Sequence, residues 1–218
     1  MSKAKILAAL LTAAAVAMPA QAATVLFTSE ALASNPGPAA GETVVEDFDS
    51  PLAAGYSWSS FNRTLWSNPG NPTGNLFNTG VSGYAGNIPG NTTRFASVFG
   101  GTSASLMSTN MLKSISVDIG SIDDYNFIDF YQDNVLIGTI TGSELSSVHN
   151  GSWTGPDTNR RFFFVGGTFN RIDFRSGGNS FEFDNIATAE VPEPATPAML
   201  ALGLLGLAAL RRRKRAAA

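Results

Sequence analysis

The sequence contains no cysteine and a single histidine, His149. Without cysteine the chain can form no disulfide, thiolate nucleophile, cysteine-ligated zinc site or iron–sulfur cluster. A single histidine also excludes zinc sites built from several histidines. The fold must therefore depend on a hydrophobic core, for which 15 Phe, 3 Trp and 4 Tyr are present.

Basic residues are scarce between Ala23 and Glu190. That stretch holds 7 Lys and Arg against 16 Asp and Glu, a net charge of −9, and the other 7 basic residues lie near the two ends of the chain. Binding of nucleic acid needs a basic face for the phosphates, so we expect no nucleic-acid partner. An acidic domain suits solubility outside the cell and is compatible with divalent cations.

Long apolar runs are also scarce, and the two longest of them lie near the termini. At the N-terminus, two lysines precede an apolar run over residues 6–18, and Ala20 and Ala22 occupy the small-residue positions of a cleavage site. This pattern is typical of a secretory signal peptide over residues 1–22, cleaved before Ala23 by signal peptidase. The alternative is an uncleaved N-terminal membrane anchor.

The C-terminal apolar run covers residues 198–210, which is 13 residues. As a helix rising about 1.5 Å per residue it would span about 20 Å, short of the hydrocarbon core of about 30 Å. By the positive-inside rule, the basic cluster after it would stay on the cytoplasmic side: Arg211, Arg212, Arg213, Lys214 and Arg215.

A short polar motif, Pro192-Glu193-Pro194, precedes this helix. Motif, short helix and basic tail over residues 191–215 closely resemble the PEP-CTERM sorting signal of Gram-negative bacteria, which the membrane transpeptidase exosortase recognises. The resemblance implies removal of the tail near the motif, transient contact with the inner membrane and delivery to the cell surface or extracellular matrix. The alternative is a plain single-pass tail in which the prolines only interrupt the chain before a helix.

The body of the chain shows short alternating runs separated by Gly, Asn and Asp, without sustained helical periodicity. Such alternation favours strands joined by turns. We predict an all-β domain over residues 23–190, a single antiparallel β-sandwich of the jelly-roll-like kind. The predicted strands are 43–50, which is the first, 114–120, 160–167, 169–177 and 179–187. A hairpin is predicted over 126–142, with its turn at 132–134.

Within segment 114–120, Ile115, Val117 and Ile119 alternate with polar residues, so one face is expected to be buried. The one short helix predicted is 143–148. Residues 55–94 are predicted to form a long loop, because they contain 7 Gly and 7 Asn with few aliphatic residues.

Two segments of the body, 120–131 and 181–186, resemble the body found in many PEP-CTERM surface proteins of Proteobacteria. The first reads G-S-I-D-D-Y-N-F-I-D-F-Y and the second F-E-F-D-N-I. The resemblance implies a jelly-roll-like sandwich and says little about activity.

No catalytic constellation stands out. The sequence has no G-x-S-x-G elbow, and His149 stands in a polar, loop-like context. The carboxylates that could supply an acid and a base for glycoside hydrolysis are Asp123, Asp124, Asp129 and Asp133. Turns and a solvated sheet face explain them equally well. A secreted glycan-active hydrolase is therefore the alternative function, and loss of turnover in Asp124→Asn or Asp129→Asn would support it.

A structural Ca²⁺ joining the first and last strands is a further hypothesis. It would need several carboxylate and carbonyl oxygens at about 2.3–2.6 Å from the ion. The residues with suitable chemistry near the first and last predicted strands are Glu46, Asp47, Asp49, Asp184 and Asn185. The sequence has no EF-hand loop, and acidic residues pointing outward from edge strands are the alternative explanation.

Four aromatic residues stand among Gly, Asn and Ser residues and could form a polysaccharide-binding platform: Trp58, Trp66, Tyr84 and Trp153. The alternative is that these rings fold inward and attach the long loop to the sandwich. An ice-binding surface is a weaker hypothesis, because the only short threonine alternation considered is Thr139-Ile140-Thr141.

The sequence thus predicts an exported surface or matrix protein that binds or structures exopolysaccharide or biofilm without catalysis. Its processing partners would be signal peptidase and exosortase, and its binding partner a polysaccharide.

Overall fold

The computed structural model describes residues 25–67, 74–192 and 203–205. The predicted signal peptide and its cleavage site, Glu193 and Pro194 of the sorting motif, and the basic tail lie outside these residues. Of the predicted C-terminal helix, residues 203–205 are described, and they are helical.

The described part of the chain is all-β. Apart from one 3₁₀ turn, Leu32–Ser34, one short helix, α1 (Gly142–Leu145), and the helical residues 203–205, its regular elements are strands. The strands are β1 (Leu26–Ala31), β2 (Thr43–Glu46), β3 (Tyr56–Ser59), β4 (Leu76–Phe77), β5 (Phe95–Val98), β6 (Thr102–Gly120), β7 (Asn126–Gln132), β8 (Val135–Thr141), β9 (Arg160–Ser176) and β10 (Phe181–Glu190).

These strands join in one large antiparallel sheet. Its main path runs β4-β5-β10-β6-β9-β7-β8. The remaining strands attach at its sides, with β1 on β9, β2 on β10 and β3 on β6. The predicted proximity of the segment at 43–46 to the last strand is confirmed, because β2 pairs with β10.

The two longest strands, β6 and β9, pair with each other on both sides of an irregular middle and carry different neighbours on their two halves. Residues 102–107 of β6 pair with 171–176 of β9, and this half is flanked by β3 and β7. Residues 114–119 pair with 160–165, and this half is flanked by β10 and β1. Register shifts separate the two halves between Met107 and Ser114.

Aromatic contacts join these two halves across one hydrophobic core. Phe174, from the first half, stacks on Phe183 of β10 with ring centroids 4.1 Å apart. Phe130 of β7 contacts Phe164, from the second half, at 5.4 Å. The sheet therefore folds over so that its two halves face each other.

A second, smaller cluster lies on the opposite side of the sheet. Neighbouring residues of a strand point to opposite faces. In β5, Ala96 and Val98 join the main core, whereas Phe95 packs with Phe77, Ala85 and Ile88. The segment around Ala85–Ile88 therefore covers what would otherwise be an outer face of the sheet.

The prediction that one face of 114–120 is buried is confirmed, and the other face, under this cover, is polar and is buried as well. Ser116 and Asp118 are buried, as are the apolar residues between them. On the adjacent strand, Arg161 is 1% exposed and its guanidinium donates to Asp118 at 2.8 Å. We call this surface the polar face. Its further members, on β10, are Glu182 and Asp184.

Three strand predictions need correction. The first strand is β1, at residues 26–31, and the strand predicted at 43–50 ends at Glu46. The strands predicted at 160–167 and 169–177 are one continuous strand, β9. The predicted loop 55–94 contains two short strands, because β3 pairs with β6 and β4 pairs with β5.

The hairpin prediction for 126–142 is confirmed. Asp133 and Asn134 form its two-residue turn with φ of 47° and 68°, the left-handed values that type I′ hairpin turns require. The predicted short helix is confirmed as α1, which Thr141 and Glu144 close with a capping box.

The stacked phenylalanines should dominate the stability of the domain. In Phe183→Ala we expect the free energy of unfolding to fall by about 3–5 kcal/mol, because the substitution removes a buried ring and leaves a cavity. Urea unfolding followed by tryptophan fluorescence measures this. Val135→Ala, at a side chain that is 65% exposed, serves as the control and should change the value by less than about 0.5 kcal/mol. Equal effects of the two variants would contradict the packing described.

Candidate functional site

Two cavities open at the polar face, one on each side of the segment 86–88. The smaller has a volume of about 200 Å³ and is lined by Tyr84, Trp153, Asp123, Tyr125, Asn150 and Asn179, among others. We call it the Trp153 cavity. The larger has a volume of about 630 Å³ and is lined by Asn35, Asn91, Thr92, Thr93, Asp118 and Asn185, among others. We call it the Asn91 cavity.

Loops at one end of the sheet build the Trp153 cavity. The turn that follows β6 brings Asp123 to the Tyr125 hydroxyl, which donates to Asp123 Oδ2 at 2.6 Å and lies 2.8 Å from the carbonyl oxygen of Asn179. The loop at Asn150 forms an isolated antiparallel bridge with Asp123. Because these hydrogen bonds join three separate loops, the polar groups of the cavity are held in fixed positions.

The aromatic residues that line this cavity are Tyr84, Trp153 and Tyr125. Trp153 is 39% exposed, which leaves part of its ring open to a ligand. At Gly86, a Cβ would lie 3.0 Å from the Trp153 ring and closer still to the Ser121 side chain. The absence of a side chain at Gly86 therefore lets the indole approach the backbone beside the cavity.

Glu182 lies beneath the covering segment, between the two cavities, and holds that segment in place. It is fully buried and accepts hydrogen bonds from the hydroxyls of Ser121 and Ser180 and from the backbone N–H of Gly86 at 2.8 Å. Burial raises the pKa of the Glu182 carboxyl, and the hydrogen bonds partly offset this effect. Glu182 thus ties the covering segment to β10 and to the end of β6.

The Asn91 cavity sits over a bulge in β10. The pairing of β10 with β6 shifts register between Asp184 and Ala187, and Asn185 takes a left-handed φ of 50°. Bulges of this kind re-aim side chains. Here the Asn185 amide donates to Asp118 Oδ2 at 2.9 Å, and the Asn91 amide donates to Asp184 Oδ2 at 2.5 Å.

A buried arginine supports the same cavity from beneath. Arg161 donates to Asp118 at 2.8 Å, to the Ser116 hydroxyl at 2.8 Å and to the carbonyl oxygen of Asn185 at 3.0 Å. Leaving one member of a buried ion pair without its partner is costly. The pair therefore holds Asp118 and Asn185 at the floor of the cavity.

Asp184 is a strongly perturbed acid of this region. Burial above all, with smaller contributions from the charges of Asp118 and Asp49, raises the pKa of the Asp184 carboxyl from 3.8 to about 8, although the hydrogen bonds from Asn185 and Asn91 lower it. Burial also raises the pKa of Asp118, and the neighbouring Arg161 opposes that shift. Like-charged carboxylates on neighbouring strands favour the neutral form of one of them.

The four predicted aromatic residues do not form one exposed platform. Tyr84 and Trp153 meet at the Trp153 cavity. Trp58 packs against the main core, 4.7 Å from the Phe61 ring, and donates its indole N–H to Glu46 at 2.7 Å. Trp66 joins the smaller cluster and stacks on Phe77 at 5.3 Å.

The predicted calcium ligands have protein partners. Glu46 is buried and accepts from Trp58, Arg63 and the backbone N–H of Phe48. Asp47 accepts from Ser50 and the N–H of Asp49, and Asp49 in turn pairs with Arg94 at 3.0 Å. Asn185 lines the Asn91 cavity, and Asp184 is buried and accepts from the Asn91 amide. Within the described residues, no group of three or more His, Asp and Glu side chains is arranged to hold a metal ion.

The predicted acid–base candidates lie apart. Asp129 is buried in β7 and pairs with Arg175, while Asp133 lies in the hairpin turn. Asp124 is exposed beside Asp123, which lines the Trp153 cavity. The imidazole Nδ1 of His149 lies 3.0 Å from the carbonyl oxygen of Ser146.

Sequence reasoning missed the role of Asn91, Asp118, Arg161 and Glu182. No local signal could have found Glu182, because the alternation Phe-Glu-Phe-Asp is also what a strand with a solvated face shows. Asn91 stands in a Gly- and Asn-rich stretch whose contact with Asp184 is formed only in the folded chain.

At its C-terminal end, β10 leads directly into the predicted sorting motif. The backbone N–H of Val191 still bonds to the carbonyl oxygen of Met111 at 2.8 Å, and the next residue, Pro192, is exposed. Residues 190–214 match the sequence profile of the PEP-CTERM protein-sorting motif. The chain carries this motif. The match supports an exosortase-substrate sorting domain, as predicted from the motif, the helix and the basic tail.

Solved structures similar to the chain have low identity to it. A mutant of CBM29-2, a family 29 carbohydrate-binding module, matches with 13% identity and a TM-score of 0.35, over 67% of this chain and 89% of that one. The family 11 module of cellulase Lic26A-Cel5E from Clostridium thermocellum matches with 15% identity and a TM-score of 0.25, over 71% and 97%.

The catalytic domain of a GH87 alpha-1,3-glucanase variant, in complex with tetrasaccharides, matches with 12% identity and a TM-score of 0.36, over 72% of this chain and 29% of that one. No curated protein sequence matches the chain. None of the helices among the described residues has the length and apolarity to cross a membrane.

The raised pKa of Asp184 makes stability depend on pH. An acid whose pKa is higher in the folded protein binds more protons when folded, so the free energy of unfolding should fall as pH rises from 3.8 to about 8. In Asp184→Asn we expect a flatter profile, measured by urea unfolding across this range. A smaller slope should remain, because burial also raises the pKa of Asp118 and Glu182.

The control for this prediction is Asp157→Asn, at a side chain that is 60% exposed. Its pH profile should follow that of the unchanged protein. An Asp184→Asn profile as steep as that of the unchanged protein would show that Asp184 is not held in this buried environment.

Proposed function

We propose that the chain is an exported, exosortase-sorted protein of the cell surface or extracellular matrix, and that its body binds polysaccharide without cleaving it. The observation that carries the binding proposal is the Trp153 cavity, where an open indole stands beside fixed amide and carboxylate groups. We further propose that the folded-over sheet is a β-sandwich of the jelly-roll-like kind, the architecture in which loops at one end commonly form binding sites.

The chemistry of the Trp153 cavity suits a sugar. A sugar ring offers a C–H-rich face to an aromatic ring and hydroxyls to amides and carboxylates. Trp153 and Tyr84 supply the aromatic rings, and Asn150, Asn179 and Asp123 supply the amides and the carboxylate. At about 200 Å³ the cavity is smaller than typical small-molecule pockets of about 300–1,000 Å³, so it would take one ring or the end of a chain.

A binding role also agrees with the surroundings of the carboxylates. Of the acids considered for glycoside hydrolysis, only Asp123 lines a cavity, and its oxygen accepts from Tyr125. A glycosidase needs two carboxyl groups on either side of the scissile bond. We therefore propose that Asp123 orients sugar hydroxyls and does not act as an acid or base.

The sorting half of the proposal begins with export. A signal peptide over residues 1–22 would be cleaved by signal peptidase, and the apolar segment 198–210 with its basic tail would stop the chain at the inner membrane. Exosortase would then act near Pro192-Glu193-Pro194. The final location would be an exopolysaccharide or biofilm matrix, or the cell surface.

A structural Ca²⁺ remains part of the proposal, with the predicted oxygen ligands Glu46, Asp47, Asp49, Asp184 and Asn185. The ion would join the segment after β2 to β10, two strands that pair in the sheet. If it does, adding Ca²⁺ should raise the melting temperature and a chelator should reverse the change. Melting curves that coincide in calcium and in chelator would reject the ion.

The test of the binding proposal uses the full-length chain, expressed with its own export signal, on a glycan array and in polysaccharide pull-downs. We expect Trp153→Ala to weaken binding at least about tenfold, which corresponds to about 1.4 kcal/mol, because the open face of the indole is removed. Trp153→Phe should keep part of the affinity, since an aromatic face remains.

The matched control is Trp58→Phe, which alters a tryptophan that packs against the main core beside Phe61 and does not line the cavity. Its binding should equal that of the unchanged protein. The binding proposal fails if no glycan is retained, or if Trp153→Ala binds as well as the unchanged protein while melting at the same temperature.

The sorting proposal predicts the fate of a chain in which Pro192, Glu193 and Pro194 are all replaced by alanine. In an exosortase-containing host this variant should stay in the membrane fraction with its tail uncut, as measured by fractionation and mass spectrometry. Thr196→Ala, just beyond the motif, is the control and should be processed normally. Normal processing of the triple variant would contradict recognition of the motif.

A further inference from the structure

The Asn91 cavity has no part in the glycan binding proposed above, yet it lies on the same face of the sheet as the Trp153 cavity. In the pairing of β10 with β6, Asp184 is opposite Asp118 and Glu182 is opposite Gly120. Residues two apart on a strand share a face. Asp118, at the floor of the Asn91 cavity, and Glu182, beside the Trp153 cavity, therefore face the same side.

Only a thin segment of chain separates the two cavities. Ile88 packs over Gly120, where a Cβ would lie 2.8 Å from Ile88 Cγ1. The N–H of Gly86, two residues earlier, bonds to Glu182. Between these anchors Asn87 is exposed. The segment 86–88 thus forms a low ridge between the cavities.

The spacing of the cavities follows from the strands beneath them. Asp118 and Ser121 are three positions apart along β6 and the turn after it, which is about 10 Å. On β10, Ser180 and Asn185 are five positions apart, which is about 17 Å before the bulge shortens it. A ligand that reaches both cavities must therefore be a chain of several rings.

The lining of the Asn91 cavity suits a neutral hydroxylated ligand. It presents the side-chain amides of Asn35, Asn91 and Asn185 and the hydroxyls of Thr92 and Thr93, and no Lys or Arg is among its described lining residues. Amides and hydroxyls both donate and accept hydrogen bonds, as sugar hydroxyls require. The side chains of Leu32, Pro36, Ile88 and Pro89 supply apolar contact for a ring face.

The charges beneath the cavity argue against an anionic ligand. The Asp118 carboxylate is paired with Arg161, and both oxygens of Asp184 accept hydrogen bonds, from Asn185 N–H and from Asn91. An anion would meet two acids and no free cation among the described lining residues. The volume of about 630 Å³ lies within the about 300–1,000 Å³ of small-molecule sites.

We infer that the two cavities are subsites of one groove, and that the Asn91 cavity takes a neutral sugar ring of the same glycan chain whose other ring lies on Trp153. This inference rests on the proposed glycan-binding function, and it adds that the protein recognises the interior of a chain several rings long. The ridge at 86–88 would then lie beneath the linking rings.

The test measures affinity against chain length. Isothermal titration of the full-length chain uses neutral glucan oligosaccharides of β-1,4, β-1,3 and α-1,3 linkage, each as disaccharide and as hexasaccharide. For the bound linkage we expect affinity to rise at least about tenfold between the two lengths, since only the longer chain reaches both subsites.

Two variants block the Asn91 cavity from opposite walls, Thr92→Trp and Ala33→Trp, both at exposed positions. Each should lower hexasaccharide affinity to that of the disaccharide and leave disaccharide affinity unchanged. Thr109→Trp, at an exposed threonine on the bend of β6, is the matched control and should leave both affinities unchanged. Melting temperatures establish that each variant is folded.

The outcomes separate the two proposals. Binding that depends on Trp153 but is independent of chain length, or is unaffected by both blocking variants, overturns the two-subsite groove alone. Binding to a glycan on the array but to none of these neutral oligosaccharides also overturns this inference alone. Absence of binding both to the oligosaccharides and on the array overturns the glycan-binding function and this inference with it.

Discussion

The pairing of β6 with β9 is the constraint on which the rest of the structure depends. Two strands that remain paired through a bend form the central strands of both halves of the sheet, so one hairpin-like ribbon determines where most other strands attach. The glycines at the bend, Gly166 and Gly167, have φ of 98° and 70°, values that residues with a Cβ rarely adopt. Because the ribbon is continuous, the cores of the two halves are a single core and the chain needs no disulfide to hold them together.

The paired strands β6 and β9 also carry part of the buried polar face. Arg161, Asp118, Glu182 and Asp184 lie on central strands and are covered by loop segments, an arrangement that would be strongly unfavourable without hydrogen bonds. Each of them has side-chain or backbone partners, which come from segments far apart in the chain. Buried polar networks of this kind add little net stability. Their main effect is to fix one arrangement of the covering loops. The two cavities exist because the cover is held up by polar contacts and does not collapse onto an apolar surface.

The sequence predicted local structure well where the cause was local. The hairpin around Asp133 and Asn134 follows from two residues that tolerate left-handed φ, and the burial of Phe181 and Phe183 follows from alternation. The continuity of β9 was missed because Gly166 and Gly167 look like a turn. Trp58, Trp66 and Trp153 stand in similar Gly-, Asn- and Ser-rich surroundings, and only tertiary packing sends the first two inward and leaves the third open. The polar face could not be predicted, since its cover comes from residues about 90 positions away in the chain.

One structural feature, the direction of β10, sets how the protein would be displayed. This strand begins beside the Trp153 cavity, just after Ser180, and ends at Glu190, where the sorting motif starts. Its ten residues span about 33 Å. If the protein is attached through its C-terminal end, the loops of the Trp153 cavity would therefore lie at the opposite end of β10 and point away from the attachment point. A matrix polymer could then approach from the outside without meeting the surface to which the protein is fixed.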